Sequence, residues 1–236
     1  DLFTVVAQQG GPASANDDWE NFDAPTINNN GDYIFSGDTN GPTSSDEFLA
    51  YNGVIQIREG DVVAGITLGG SCDGSSLNNN GDVVFVWTVS GGGEALFHSS
   101  DASNIAGTAT LLLRDGDSID TTNDGVADWV VTAFNVSQII GPGLEIAEDG
   151  KVWAEVNVDS ADGTQLGLEA IIGIRYAPCL GDWDGSGGQP NSSDFLAYLN
   201  DFAALNPAAD LAPAGGDGIF DSSDFLAFLN LYAQGC

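Results

Sequence analysis

The chain has 236 residues, with 35 Asp and Glu against 4 Lys and Arg, a formal charge of −31. Four cations cannot build a surface for phosphate backbones or anionic headgroups, which excludes nucleic-acid and membrane-surface binding. No apolar run approaches the roughly 18–20 residues of a spanning helix, yet 42% hydrophobic residues with 12 Phe, 5 Trp and 5 Tyr are too many for a disordered tail.

In chain order, strand-like runs stand at Leu2–Ala7, Asp32–Phe35, Val54–Ile57, Val83–Val89, Leu111–Leu113, Val130–Phe134, Val152–Val158 and Ala170–Tyr176, separated by Gly/Asp/Asn turns. With no convincing amphipathic helix between them, residues 1–178 predict a mainly β, antiparallel domain. A repeat organises it. Asn28-Asn29-Asn30-Gly31-Asp32 leads into Tyr33-Ile34-Phe35, and fifty residues on Asn78-Asn79-Asn80-Gly81-Asp82 leads into Val83-Val84-Phe85. Ala147-Glu148-Asp149-Gly150-Lys151, before Val152-Trp153, is a weaker third copy. Arg58-Glu59-Gly60-Asp61 and Arg114-Asp115-Gly116-Asp117 form a second marker. Asn and Gly supply the positive-φ positions of tight turns, and the β-branched and aromatic residues after them enter strands.

At these residues the chain resembles a family of secreted bacterial tandem-repeat proteins with the motif NxxGxxAF, over roughly residues 20–176. The resemblance implies propeller-blade-like repeats and secretion, and brings no catalytic residues. About three blades fall short of the usual four to eight. Either Leu2–Ala7 completes the last blade, since Gln9-Gly10-Gly11 resembles the segment after a blade's final strand, or open edges pair between chains as a dimer or filament.

Residues 179–236 predict a small helical module. Ser192-Ser193-Asp194-Phe195-Leu196-Ala197-Tyr198-Leu199-Asn200 recurs as Ser222-Ser223-Asp224-Phe225-Leu226-Ala227-Phe228-Leu229-Asn230, two N-capped amphipathic helices. Ahead of each lies an Asp/Gly loop with the logic of an EF-hand: alternating oxygen side chains, a permissive Gly and an acid at the helix start. The pair resembles a type I dockerin. That resemblance implies Ca²⁺ on Asp182, Asp184, Ser186, the Gly188 carbonyl, Asn191 and Asp194, and a second ion on Asp217, the Ile219 carbonyl, Asp221 and Asp224. It also implies that Ser192, Ser193, Ser222 and Ser223 contact a cohesin-like partner; helix capping alone is the plainer account of them. The first loop has one residue more than the standard twelve, and Pro213 and Gly215 stand where the second needs acids, so that Asp210 reaches in only if the loop bulges.

Asp120, Thr122, Asp124, the Val126 carbonyl and Asp128 follow D-x-T-x-D-G-x-x-D, similar to short Ca²⁺ repeats of thrombospondin-like secreted proteins, or a solvated hairpin. Of the acids 27 are Asp and 8 Glu, which suits either loop-borne Ca²⁺ or a solubilising surface. Cys179 and Cys236 bracket the module and read as a disulfide closing a long loop, worth about 4 kcal/mol in the chain-entropy model. That pairing and the lack of any Met point to a processed, exported chain in an oxidising, extracellular setting. Cys72 is left as a buried thiol or an intermolecular bridge. His98 is the one histidine and no nucleophile motif accompanies it. The expectation is a secreted, non-enzymatic, Ca²⁺-binding structural or adhesive protein, self-assembling as a filament or surface layer. A dockerin-bearing accessory or carbohydrate-binding protein comes second, and a glycosidase third.

Overall fold

The computed structural model describes residues 4–23, 25–122, 125–136, 143–175, 181, 183–184, 190–212 and 217–234. The chain divides into two compact units, Asp1–Tyr176 and Ala177–Cys236, two residues before the boundary expected from the sequence.

The first unit is mainly β, and its strands form three antiparallel sheets. The first runs β1 (Thr26–Ile27), β2 (Tyr33–Asp38), β3 (Glu47–Tyr51), β4 (Val54–Arg58). The second runs β5 (Val62–Val63), β6 (Ile66–Leu77), β7 (Val83–Val89), β8 (Glu94–Ser99), β9 (Ala109–Arg114). The third holds β10 (Ser118–Ile119), β11 (Trp129–Phe134), β12 (Leu144–Ile146), β13 (Lys151–Ser160) and β14 (Leu168–Arg175). Here β11 and β12 share one side of β13, and β14 takes the other. A single 3-10 turn and α1 (Ile105–Thr108) interrupt this β unit before β9, a helical element the sequence does not announce; Ala102 and Ile105 bury into the core there.

Side-chain alternation along β7 stacks the sheets. Val83, Phe85, Trp87 and Val89 pack with Ile34, Leu49 and Ile57 of the first sheet, whereas Val84 and Val86 pack with Val152, Ala154 and Val156 of the third. Both faces of the middle sheet are thus buried, which is why VVFVWTV reads as a continuous apolar run. Each fully buried large apolar side chain contributes roughly 1.5–3 kcal/mol, against about 0.5–1.5 kcal/mol net for a hydrogen bond, so these rows outweigh any single ladder bond. Trp19, Phe35, Phe48 and Ala50 form a separate cluster on the outer side of the first sheet.

Strands β3, β6 and β8, with the short β1, β5, β10 and β12, are absent from the sequence expectation. The β6 run ITLGGSCDGSSL has loop composition, yet tertiary context holds it extended through two register shifts. Gly69 is required there: a Cβ would lie 2.8 Å from Thr88 Oγ1. Of Leu2–Ala7, residues 2–3 lie outside the described residues, and Thr4–Ala7 joins no strand pair.

In the second unit α2 (Ser192–Ala203) and α3 (Ser222–Gln234) carry the nonapeptide repeat. Tyr198 and Phe228, equivalent residues, stack at 3.9 Å with rings 4° apart, and Trp183 packs edge-on to both. Cys179 and Cys236 lie outside the described residues. Cys72 is buried, and burial pushes the pKa of its thiol well up. No described helix is long and apolar enough to cross a membrane.

Candidate functional site

The three repeat turns share one geometry. Gly31, Gly81 and Gly150 have φ of +87°, +87° and +76°. Asn28 Oδ1 accepts from the N–H groups of Asn30 and Asp32 at 3.0 and 2.9 Å, and Asn78 Oδ1 accepts from Asn80 and Asp82 at the same distances. The copies also bond to one another. Asn28 Nδ2 donates to the Asn78 carbonyl at 3.1 Å and Asn78 Nδ2 to the Ala147 carbonyl at 3.2 Å; Asn30 Nδ2 and Asn80 Nδ2 donate to the Asn79 and Glu148 carbonyls at 2.8 and 3.0 Å. Consecutive repeats therefore stack in register. His98, the one histidine, sits buried in this scheme with Nε2 3.7 Å from Asp82.

Register makes positions comparable across repeats. Opposite Ser36, Val86 and Glu155 stand Leu49, Leu96 and Ile171. Leu49 and Leu96 are 0% exposed between sheets; Ile171 is 75% exposed. Likewise Ile34 and Val84 are 0% exposed, and their equivalent Trp153 is 42% exposed, with the Lys151 ammonium 3.9 Å from a ring centroid. The face of the third sheet that a further repeat would cover is open. Trp19 and Trp87, by contrast, are core.

Sequence reasoning missed Glu47 and Glu94. They occupy one repeat position, and each reaches into the next sheet: Glu47 Oε1 accepts from the Cys72 N–H at 3.0 Å, Glu94 Oε2 from the Phe134 N–H at 3.0 Å. Burial, with Asp38 and Asp23 nearby, pushes Glu47 up to about 9; burial, with Asp73 and Asp115 nearby, pushes Glu94 up to about 7. Their shared context, Glu47-Phe-Leu and Glu94-Ala-Leu, is the signal that could have found them.

In the second unit, Asp182, Ser186 and Gly188 lie outside the described residues, as does Asp124 of the first unit. Of the first helical loop, Asp184, Asn191 and Asp194 come together. Asn191 caps α2 by accepting from the Ser193 N–H at 2.8 Å, and buried Asp194 accepts from the N–H groups of Asn191 and Asp184 at 2.8 and 3.1 Å. In the second loop Asp224, also buried, accepts from Leu211, Ala212 and Asp221, each at 2.8 Å, and those bonds hold its pKa down. Asp217 accepts from the Ile219 N–H and Asp221 from the Ser223 N–H. Asp210 accepts from the N–H groups of Asp217 and Gly218 at 3.1 and 2.6 Å. In the first unit, Asp120 and Asp128 converge on the Thr122 N–H, at 3.1 and 3.2 Å, and Val126 is exposed.

The oxygen-only donors suit a hard cation. Residues 177–236 hold eight Asp and no Lys, Arg or His, so the buried Asp194 and Asp224 have no cationic side chain in their own unit. Among the described residues no group of three or more His, Cys, Asp or Glu is gathered as a metal site. In the second loop the carboxylates are turned largely to backbone N–H groups, which a cation would have to displace in part.

Ser192, Ser193, Ser222 and Ser223 are all exposed at the first turns of their helices. No protein-family model matches the chain, and no curated protein or solved structure matches it.

Proposed function

We propose that the chain is a secreted, non-catalytic structural protein that assembles with itself, its β unit a propeller-like relative of NxxGxxAF repeats and its helical module a dockerin-like Ca²⁺ binder. One observation carries the self-assembly: Ile171 and Trp153 stand in solvent at positions that the first two repeats bury completely under a following sheet. An extracellular filament or surface layer is the form in which such an end is used repeatedly. At −31, association needs salt or divalent ions to offset repulsion. Sedimentation velocity from micromolar to millimolar chain, in Ca²⁺ and in EGTA, tests this. Concentration-dependent growth favoured by Ca²⁺ is expected, and a strict monomer throughout would overturn the reading.

A second reading, docking onto a cohesin-like partner, is favoured by the matched surfaces of the helices. Leu196 and Leu226, equivalent residues, are 59% and 58% exposed one turn beyond the serine pairs. Pull-down on an immobilised cohesin tests it: retention abolished by Leu196→Asp with Leu226→Asp is expected, and no retention of the unmodified chain would remove it.

A further inference from the structure

The turn after β4 and the turn after β9 have a third counterpart. Asp61 N–H donates to the Arg58 carbonyl, Gly60 N–H to Leu68 and Leu68 N–H to Asp61. Asp117, Gly116 and Val131 repeat this on Arg114, Val131 and Asp117. At the other end of the domain Gly11 N–H donates to Gln8 at 2.9 Å, Gly10 N–H to Trp19 at 2.8 Å, and Trp19 N–H to Gly11 at 2.9 Å. Gly10, Gly60 and Gly116 have φ of +77°, +85° and +90°. Gln8–Gly11 is therefore the turn that comes after the fourth strand of a repeat, and Thr4–Ala7 stands where that fourth strand belongs. It pairs with nothing among the described residues, and Val5 and Val6 are 75% and 58% exposed.

The third repeat has the opposite deficit. β3 pairs with β4 and β8 with β9, but among the described residues β14 pairs with β13 alone. One more pair of unmatched groups agrees. Opposite Asn157, at the position of Glu47 and Glu94, stands Glu169, which is exposed. Phe22 lies fifty residues before Cys72 and against Gly37, whose Cβ would come within 3.0 Å of the Phe22 Cα. Its N–H has no acceptor among the described residues, whereas the Cys72 and Phe134 N–H groups take the Glu47 and Glu94 carboxylates.

We propose that copies of this chain join head to tail by continuing the repeat stack: Thr4–Ala7 of one copy adds as the fourth strand along β14 of a second. Glu169 of the second copy accepts from the Phe22 N–H of the first, and Ile171 and Trp153 seat against the first copy's outer sheet. That sheet offers a recess of about 160 Å³ lined by Val6, Phe22, Pro25, Tyr33 and Phe35. The register is set by the two internal examples, which share a shift between Leu49 and Ala50 and between Leu96 and Phe97. Ala7 lies opposite Ile171, Val5 opposite Ile172, and Val6 bulges. Main-chain bonds supply affinity and the alternating side chains supply register, as in strand addition generally. The contact is heterologous, so copies form rings or open filaments.

The inference rests on the self-association reading above, and the test separates the two. Chains carrying Ala7→Cys and Ile171→Cys singly are mixed under mild oxidation; paired antiparallel Cα atoms lie within disulfide reach. A mixed covalent dimer formed far faster than either homodimer is expected. In the double variant a covalent ladder is expected, and a bridge within one chain would overturn the second copy as the occupant. Val5→Pro removes a strand N–H from a segment outside the sheets, so it is expected to weaken association at least tenfold with the unfolding midpoint unchanged. Association that persists with no cross-link and no effect of Val5→Pro overturns strand donation while self-association stands; a monomer in every arm overturns both.

Discussion

The side-chain amide of Asn78 donates across the sheet stack to the carbonyl of Ala147, sixty-nine residues away. The same amide group holds its own turn through Oδ1, so a single buried side chain closes one repeat and ties it to the next. Ala147 occupies the position of Asn28 and Asn78 in the third copy and has no amide to pass on, so these Asn–carbonyl bonds end at the third repeat.

Loss of that amide should be felt in stability. Asn78→Ala removes three part-buried hydrogen bonds, from the N–H groups of Asn80 and Asp82 and to the Ala147 carbonyl, and should cost about 1 kcal/mol or more. Ala147→Asn, which restores the Asx turn in the third copy, should be neutral or stabilise. Denaturant unfolding of both variants checks this; equal midpoints for Asn78→Ala and the parent would show that the ladder holds nothing.

Most of this was legible where the signal is local. The Asn and Gly positions fix the turns, and the nonapeptide repeat fixes both helices, because each needs only its near neighbours. The strands β3 and β8 were hidden because each opens on a Glu, and β6 because its Gly69 answers to Thr88 across the sheet rather than to propensity. The equivalence of Glu47, Glu94 and Glu169 breaks the fifty-residue period, since loop lengths differ between repeats, and emerges only from register. Contacts between repeats are not written in any one copy.

Stability should fall as pH rises. Glu47 and Glu94 are raised in the folded chain to about 9 and about 7, so the folded state keeps protons that the unfolded chain releases near 4.5. Their contribution is complete below the unfolded value and is lost as pH passes 7 and then 9. Asp82, Asp128 and Asp224 are lowered by hydrogen bonds and act oppositely, losing their contribution as pH falls below 3.8. Maximum stability is expected at roughly pH 4.5–6. Glu47→Gln, which can still accept from Cys72 and can donate toward Asp38, should raise the melting temperature at pH 8 and flatten the profile. Because Glu47 is buried and Glu94 half-buried, added salt should not fully reproduce the effect, whereas repulsion among surface acids would be screened.

Thiol counting tests the three cysteines together. Cys72 is 3% exposed with a raised pKa, and the thiolate is the reactive form. If Cys179 and Cys236 are bridged, a thiol reagent should find no group in the native chain, one in denaturant and three after reduction. Reaction of native chain would show that the bracketing pair is open.

Calcium should act unequally on the two helical loops. In the second loop Asp224 Oδ1 is shared by two N–H groups and Asp210 gives both oxygens to backbone donors, so an ion there competes with bonds already made. The first loop carries Asp182 and Asp184 at its front, where the second has Pro213 and Gly215, so it offers a cation more carboxylates. Binding to the folded chain alone stabilises by about 2.7 kcal/mol at a hundredfold excess over Kd. Thermal unfolding of the chain in Ca²⁺ and EGTA should therefore show a rise in the module's midpoint, and titration calorimetry a tighter and a weaker site. Asp184→Asn should remove the tighter site and most of that rise, and Asp217→Asn the weaker site only. Neither substitution touches a helix cap, so a loss of stability in EGTA would mark a structural effect, and an unchanged Ca²⁺ response in Asp184→Asn would remove the first loop as the principal site.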